Sequence, residues 1–210
     1  WLGQTVLSYQ VPLDIFNTLN GIYENNFVNL PDAHVQLVGK IEKENSMFFG
    51  GKANNKMHKH NLLPPYVLDW FESVFKHYLK FNKIYEYKLN MQSIWVNEMK
   101  AGEYNPVHIH QGSIFTGLSS VMILKLPKDM GPEIARPDQP TNGRLQIIGA
   151  TNGQFSKTDY SPLAQERSFH VFPYDMRHCV YPHNNPNVLR RTLAANMDVD
   201  YNPVSTRTAG

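Results

Sequence analysis

The sequence predicts a mainly β protein, a β-sandwich or jelly-roll barrel supported by α-helices from its N-terminal part. Two stretches before residue 83 have the apolar spacing of amphipathic helices, and after residue 83 short alternating or apolar runs are separated by turn residues. Because five or more short strands must form a closed sheet or a covered one, a sandwich or barrel is expected rather than an open sheet.

Helical spacing is found in residues 11–27 and, more strongly, in residues 64–82. In the first stretch the apolar residues at this spacing are Leu13, Phe16, Leu19 and Tyr23. In the second stretch one face carries Val67, Trp70, Phe71, Val74, Phe75 and Leu79. The sequence therefore predicts two helices that each bury one face.

The predicted strands share short length, alternating or apolar composition and flanking turn residues. They are "YEYKLNMQSIWVNEM", "SSVMILKLP", "GRLQIIGA", "RSFHVFP" and "RRTLAANMDVDY". We expect the 210 residues to form a single domain, with helical support and first strands in 1–90, the jelly-roll core with the site in 91–201, and a loose tail in 202–210.

Composition and charge restrict the class of partner and compartment. Hydrophobic residues make up 41% of the chain, charged residues 18%, and the formal net charge is +2. With no run of like charges, nothing indicates nucleic acid or an acidic membrane surface as a partner. Cys179 is the only cysteine, which excludes an intramolecular disulfide and predicts a reducing compartment such as the cytoplasm. No signal peptide or membrane span is predicted.

The stretch "NPVHIHQGS" places His108 and His110 one residue apart after a proline turn. In a strand, residues i and i+2 point to the same face, so these two imidazoles can share one metal ion. The same pattern also fits two ordinary polar residues on a solvated sheet.

A second segment strengthens the metal interpretation. In "FHVFPYDMRHCVYP", a β run ends in a Phe-Pro turn and His178 follows it. Three neutral imidazoles suit divalent first-row metals, and such a site leaves positions open for other ligands. Further on, Arg190 and Thr192 are two hydrogen-bond donors on one face of a predicted strand, a combination that suits a carboxylate.

These motifs, taken in order, resemble the Fe(II)/2-oxoglutarate-dependent oxygenases. The resemblance covers residues 94–197 and is closest to a group with the pattern W-x-N, G, P-x-H-x-H, then F-P-x-x-x-x-H-x-V-x-P, then R-x-S and Asn. The matching residues are Trp95, Asn97, Gly102, Pro106, His108, His110, Pro127, Phe172, Pro173, His178, Val180, Pro182, Arg190, Thr192 and Asn196.

The resemblance implies a double-stranded β-helix, or jelly roll, that binds Fe(II) in the barrel mouth and uses 2-oxoglutarate and O2. His108 and His178 correspond to metal ligands. Arg190 and Thr192 correspond to the residues that bind the distal carboxylate of 2-oxoglutarate, and Asn97 would reach this cosubstrate or make a structural hydrogen bond. The implied activity is a dioxygenase, a hydroxylase that releases succinate and CO2.

Position 110 departs from the pattern, because most of the superfamily has Asp or Glu there. Either His110 is the third metal ligand, or it sits behind the ligands and water takes the carboxylate's place. The first alternative is favoured because residue i+2 is where the usual carboxylate stands. Asp175 is the carboxylate nearest to His178 in sequence, but a turn-capping role is expected for it.

Neighbouring residues are given structural roles. Cys179 is expected to be a small core residue, Trp95 a core aromatic, and Arg191 a surface charge facing away from Arg190. His170 is expected to be exposed or hydrogen-bonded, and His183 to lie in an Asn-rich turn, with a role at the site mouth as the alternative.

Two rival functions remain open from the sequence. One is a metal-binding, cupin-like ligand-binding module without redox catalysis, and the other is a structural jelly roll with incidental histidines. For an oxygenase, the prime substrate is either a peptide side chain or a small metabolite, and desaturation or halogenation are alternatives to hydroxylation.

Overall fold

The computed structural model describes residues 4–33, 39–51, 57–133, 138–150 and 158–201. These residues form two α-helices, α1 (Leu13–Asn26) and α2 (Pro65–Phe81). They also form eleven β-strands: β1 (Leu7–Gln10), β2 (Lys43–Phe49), β3 (His60–Asn61), β4 (Tyr87–Met99), β5 (Asn105–His108), β6 (Gly117–Lys125), β7 (Leu145–Ile148), β8 (Asp159–Tyr160), β9 (Ser168–Pro173), β10 (Arg177–Val180) and β11 (Arg190–Tyr201).

The strands form two antiparallel sheets. The larger sheet has seven strands in the order β1-β9-β6-β11-β4-β2-β3, and the smaller has four in the order β5-β10-β7-β8. Strands β1 to β4 all belong to the larger sheet. From β4 to β11 the chain passes back and forth between the two sheets, with β7 and β8 both in the smaller one, as expected for a double-stranded β-helix. The predicted fold class, a mainly β jelly roll with supporting helices, is confirmed.

Both helices pack on the outer face of the large sheet. The shared core contains Leu19 and Tyr23 from α1, Phe71 and Phe75 from α2, and Leu193 from β11. The helix bounds agree with the predicted stretches within two residues at each end. Pro65 at the start of α2 is placed where the first turn has no hydrogen bond to lose.

The inner faces of the two sheets enclose a second apolar cluster. It joins Val121 and Phe172 of the large sheet to Leu145, Ile147 and Val180 of the small sheet. Alternation along β11 divides its side chains between the two layers: the residues before and after Leu193 face the small sheet. That inner face carries the polar residues of the candidate site.

Strands β1, β2 and β3 lie before residue 83, where the sequence pattern predicted two helices and where none of the five quoted strand segments lies. All three belong to the large sheet, since β1 pairs with β9, and β2 pairs with β4 and β3. The single-domain division of the chain stays a prediction, and its proposed tail, 202–210, lies outside the described residues. Among the described residues, no helix has the length and apolar character needed to cross a membrane.

Candidate metal centre and cosubstrate site

Three histidine side chains meet between the two sheets. His108 ends β5, His178 pairs with it from β10, and His110 follows two residues after β5. One ring nitrogen of each residue lies within 4.8 Å of the others. The Nε2 atoms of His110 and His178 are 3.1 Å apart. Ligand nitrogens around a metal ion at about 2.1 Å lie about 3 to 3.5 Å apart, so small ring movements would complete a site.

Backbone hydrogen bonds set which nitrogen two of the rings present. Nδ1 of His108 lies 2.7 Å from the carbonyl oxygen of Pro106, and Nδ1 of His178 lies 3.1 Å from that of Met176. Because a carbonyl oxygen only accepts, each Nδ1 carries the hydrogen and donates it. Nε2 of both rings therefore keeps its lone pair, as in metal-bound histidines held by a carbonyl.

Burial keeps the three rings in the form that binds metal. Desolvation, with a further contribution from His108, lowers the pKa of His178 to about 3. Burial also lowers the pKa of His110 well below its usual value, with smaller contributions from the other two histidines, and lowers the pKa of His108. All three imidazoles are thus neutral at neutral pH, which metal ligation requires.

Asn196 on β11 contacts the outer nitrogen of His110. Its Nδ2 lies 3.3 Å from Nδ1 of His110, and its Oδ1 is buried without a hydrogen-bond partner. Turning this amide by 180° would let Oδ1 accept a hydrogen bond from Nδ1–H of His110. Nε2 of His110 would then present a lone pair, like the other two rings.

His110 lies outside β5, and hydrogen bonds around Asp198 hold its loop in place. The Asp198 carboxylate accepts from the Ser113 backbone N–H at 3.0 Å and from the Tyr174 hydroxyl at 3.1 Å. The His110 backbone N–H donates to the Tyr174 carbonyl oxygen at 2.9 Å. Gly112 packs so closely on Asp198 that a Cβ there would clash with the carboxylate. Only glycine fits, which makes the loop's path to His110 specific.

A tight turn sets the start of β5. Gly102 has a φ of +77°, a conformation that favours glycine, and its N–H donates to the His183 carbonyl oxygen at 2.9 Å. The Glu103 carboxylate accepts from the backbone N–H groups of Lys100, at 2.6 Å, and Glu42, at 2.8 Å. Hydrogen bonds therefore connect the turn to the segments around Glu42 and His183, and they fix the position of His108 at the end of β5.

Arg190 is fully buried on the inner face of β11. Its Nε has no hydrogen-bond partner among the described residues, and its Nη1 lies 3.5 Å from Sδ of Met99. Burial lowers the pKa of Arg190 to about 10. Because this value is still well above neutral pH, the guanidinium stays charged. No ion pair joins it to any residue that the structure describes. Since a buried cation without a partner is costly, this position fits a carboxylate-bearing molecule.

Thr192 and Asn97 add polar groups to the same inner face. Thr192 follows Arg190 by two residues on β11, and Asn97 pairs with it from β4. Both side chains are buried, and Oδ1 of Asn97 has no hydrogen-bond partner. The three residues predicted to bind the cosubstrate therefore share one surface. Among the described hydrogen bonds none joins them to the three histidines.

The prediction that Arg191 is a surface charge is wrong. Arg191 does face away from Arg190, but it is buried under α1. Its guanidinium donates to the Glu98 carboxylate at 2.8 and 3.0 Å and to Glu24 at 3.0 Å, and it lies over the ring of Tyr23. The outer face is apolar around this site, so the charge is balanced by carboxylates on β4 and α1.

A cavity of about 620 Å³ opens beside the histidines. Its walls come from β2, β4, the loop after β5 and β11. They are Glu44, Phe49, Gly51, Gln92, Ser93, Trp95, Asn105, His108, Ile109, His110, Gln111, Gly112, Ser113 and Asn196. Trp95, predicted to be a core aromatic, packs in a small apolar cluster and also forms part of this wall, 5.9 Å from the ring of His110.

Sequence patterns missed the roles of two cavity residues. Glu44 lies in β2, whose position in the sheet the sequence did not predict. Asn196 was part of the recognised pattern, but only the structure shows its contact with His110. The alternation of polar residues along "RRTLAANMDVDY" is the signal that could have assigned Asn196 to the inner face.

The remaining sequence candidates lie apart from the metal centre. Cys179 is a buried core residue, as predicted. His170 is buried and its Nδ1 lies 2.8 Å from a serine hydroxyl. His183 is buried with its Nε2 3.1 Å from a backbone carbonyl oxygen, not at the site mouth. Asp175 accepts an exposed hydrogen bond from Gln4 and does not join the histidines.

Comparison with known proteins agrees with this geometry. Residues 93–196 match the protein family described as "Putative 2OG-Fe(II) oxygenase". The matched range, about half of the chain, contains the three histidines, Arg190 and Thr192. No curated protein sequence matches the chain.

Solved structures with the same fold include enzymes of this class. A prolyl-4-hydroxylase from Pseudomonas putida is 13% identical with a TM-score of 0.54, over 93% of this chain and 92% of that one. A Trichoplax adhaerens prolyl hydroxylase in complex with a hypoxia-inducible-factor peptide fragment is 10% identical with a TM-score of 0.54, over 99% and 87%. The α-ketoglutarate-dependent epimerase SnoN from nogalamycin biosynthesis is 8% identical with a TM-score of 0.59, over 95% and 79%.

Fold and site together define a non-haem oxygenase. Through the domain at residues 93–196, the chain belongs to the 2OG-Fe(II) oxygenases, whose cofactor is Fe(II) and whose cosubstrates are 2-oxoglutarate and O2. The predicted resemblance, enzyme class and cofactors are confirmed.

Proposed function

We propose that this oxygenase hydroxylates a C–H bond of its prime substrate. The overall reaction is R–H + 2-oxoglutarate + O2 → R–OH + succinate + CO2. One oxygen atom enters the alcohol and the other enters succinate, while the C–H bond and 2-oxoglutarate each give up two electrons.

In this proposal iron is bound by Nε2 of His108, His110 and His178. The observation that carries the proposal is the convergence of three neutral imidazoles within 4.8 Å. Two of them already present Nε2, because backbone carbonyls accept the hydrogen of Nδ1. Iron bound there would supply the site for O2 activation and two-point binding of the 2-oxo acid.

His110 takes the place of the usual carboxylate, with Asn196 as its positioning partner. In the ligating arrangement Asn196 Oδ1 accepts from Nδ1–H of His110, which removes the unpartnered oxygen seen in its present orientation. The loop tied to Asp198 holds the ring against this amide. A replacement of carboxylate by imidazole makes the ligand set neutral, so the bound metal keeps its full charge.

The distal carboxylate of 2-oxoglutarate is assigned to Arg190 and Thr192. Arg190 brings a buried charge without a partner, and a carboxylate would form charge-assisted hydrogen bonds with its planar donors. The Thr192 hydroxyl donates beside it, and Asn97 opposite Thr192 is assigned to the same molecule.

The prime substrate is assigned to the 620 Å³ cavity beside the histidines. Structures of this fold include one in complex with a peptide fragment and one of an epimerase from nogalamycin biosynthesis, so both peptides and small metabolites are candidates. The unpaired, buried thiol of Cys179 supports a reducing compartment such as the cytoplasm.

The test is release of labelled CO2 from 1-labelled 2-oxoglutarate by purified protein with Fe(II) under air. We expect slow release without a prime substrate, and an anaerobic mixture of protein, Fe(II) and 2-oxoglutarate should show a weak visible charge-transfer band. Replacing His178 by Ala should abolish both. Metal binding without cosubstrate-dependent absorbance or CO2 release would contradict the proposal and favour the non-catalytic binding module.

A further inference from the structure

The cavity beside the histidines contains one buried carboxyl group with no role in binding iron or 2-oxoglutarate. Glu44 on β2 is only 4% exposed, and it lines the same cavity as His108 and His110. Its neighbour in the sheet is Asn97 on β4. A buried carboxyl group in a cavity wall is unusual unless a partner reaches it, so the group that fills this position defines part of the substrate.

Hydrogen-bond acceptors without partners line this cavity. Oε2 of Glu44 and Oδ1 of Asn105 are both buried, and neither has a hydrogen-bond partner in the part of the chain that the structure describes. The Trp95 side chain lies close enough to the Glu44 carboxyl group to lower its pKa, although burial raises that pKa more strongly. Since an unsatisfied buried acceptor costs free energy, an incoming N–H donor fits the position beside Glu44.

Aromatic walls flank the carboxyl group. β2 contains a bulge between Ser46 and Phe48, which shifts the alternation of its side chains by one residue. Glu44, Ser46 and Phe49 therefore lie on the same face of β2. Phe49 and Trp95 both line the cavity. Aromatic faces near a carboxylate are typical of sites that bind an organic cation.

The charge balance of the cavity points the same way. Among the residues that the structure describes, no lysine or arginine lines it. Burial, with a contribution from Asp32, raises the pKa of Glu44 to about 8, and the Trp95 side chain lowers it. The histidines facing the cavity are neutral, because burial lowers their pKa values. Glu44 is therefore mostly protonated at neutral pH in the empty cavity, and a cation would favour its ionised form.

We infer that the prime substrate enters this cavity with a basic group, an alkylammonium or guanidinium, that binds the Glu44 carboxylate beside Phe49 and Trp95. The inference rests on the proposed function, since it names the substrate class of the same site. Two sources carry this chemistry: a free basic amino acid or amine, and the basic side chain of a peptide.

The experiment compares ligands that differ only in the basic group. L-lysine is compared with L-norleucine, and acetyl-Gly-Lys-Gly-amide with its norleucine analogue, by ligand-observed NMR on the metal-free protein. We expect the basic member of at least one pair to bind about tenfold to a hundredfold more tightly. The Glu44→Gln variant should lose this preference, whereas Glu42→Gln, at an exposed position two residues away, should keep it. Equal binding within both pairs, or a preference retained in Glu44→Gln, overturns the inference.

A second measurement needs no variant. Calorimetry at pH 7 in buffers of different ionisation enthalpy should show net proton release on binding of the basic ligands, and none for the norleucine compounds. Binding without proton release contradicts the role of Glu44. Because neither measurement uses iron or O2, a failure here is separate from a failure of CO2 release, which would contradict the proposed oxygenase reaction instead.

Discussion

Arg190 and Arg191 are adjacent in sequence, and their guanidinium groups lie in opposite layers of the fold. Arg190 faces the small sheet without an acidic partner, while Arg191 is bound to Glu98 and Glu24 under the helices. Two adjacent arginines therefore have different roles: Arg190 is available to a carboxylate ligand, and Arg191 stabilises the fold. This difference gives a matched pair of variants that separates cosubstrate binding from folding.

Replacing Arg190 by Met should weaken 2-oxoglutarate binding about 10- to 100-fold, because the charge-assisted hydrogen bonds to the distal carboxylate are lost. Iron binding should be retained. The ligand-free variant should be as stable as the wild type or more so, since an unpaired buried charge is removed. Anaerobic titration of 2-oxoglutarate, followed at the visible band, measures the first effect and urea unfolding the second.

Replacing Arg191 by Met should have the reverse result. The Glu98 carboxylate would stay buried with only the more distant Lys43 ammonium group, at 3.9 Å, beside it, so the free energy of unfolding should fall by about 3 kcal/mol. 2-Oxoglutarate affinity of the folded fraction should be unchanged. If Arg191→Met weakens cosubstrate binding and Arg190→Met does not, the assignment of the two faces is wrong.

Asn196 should control iron affinity through His110. The variant Asn196→Ala removes the acceptor for Nδ1–H, so Fe(II) affinity measured by equilibrium dialysis should fall about 10- to 100-fold. Asn90→Ala, at an exposed position of β4, serves as the control and should bind Fe(II) normally. Unchanged affinity in Asn196→Ala would mean that His110 does not ligate through Nε2.

The glycine in the His110 loop gives a test of positioning. In Gly112→Ala the new Cβ would clash with the Asp198 carboxylate, so the loop must shift and carry His110 with it. We expect lower Fe(II) affinity, and a smaller loss of stability than a core substitution gives. Gly21→Ala in α1, where nothing lies within 4 Å of the added Cβ, should leave iron binding unchanged and raise stability by about 0.5 to 1 kcal/mol.

His170 should make the protein sensitive to acid. Burial lowers the pKa of His170 to about 4 from its model-peptide value of 6.5. As the pH falls, His170 is protonated at a higher pH in the unfolded chain than in the folded protein. Its stabilising contribution is therefore complete above pH 6.5 and is lost as the pH falls towards 4. Between pH 7 and pH 4 the wild type should lose about 3 kcal/mol more unfolding free energy than His170→Phe. Urea denaturation of both proteins across this range measures it, and equal losses would contradict the effect.

Periodicity was enough to predict much of the fold. The two helices and the long strands β4, β6 and β11 have clear repeats of apolar residues, because each buries a whole face against a neighbouring layer. Strands β1 and β3 are short edge strands, with four and two residues, and the pairing partner of β1 is the distant strand β9. Such pairing depends on tertiary contacts and leaves little local pattern.

The site was predicted from ordered motifs, and its fine structure was not. The histidines and Arg190 stand at recognisable positions of the motifs. Arg191 lies on the opposite face of β11 from Arg190, and its partners come from β4 and α1, so its burial could not be predicted from the sequence. Glu44 reaches the cavity through the position of β2 in the sheet. No spacing within the sequence reports that contact, since it depends on how the strands pair.

The most direct test of the central claim is an anomalous difference map at the iron edge, from anaerobic crystals soaked with Fe(II) and 2-oxoglutarate. The account predicts one iron peak bound to Nε2 of His108, His110 and His178, with the distal carboxylate of 2-oxoglutarate on Arg190 and Thr192. Iron bound by only two of these histidines, or 2-oxoglutarate bound away from Arg190, would contradict it.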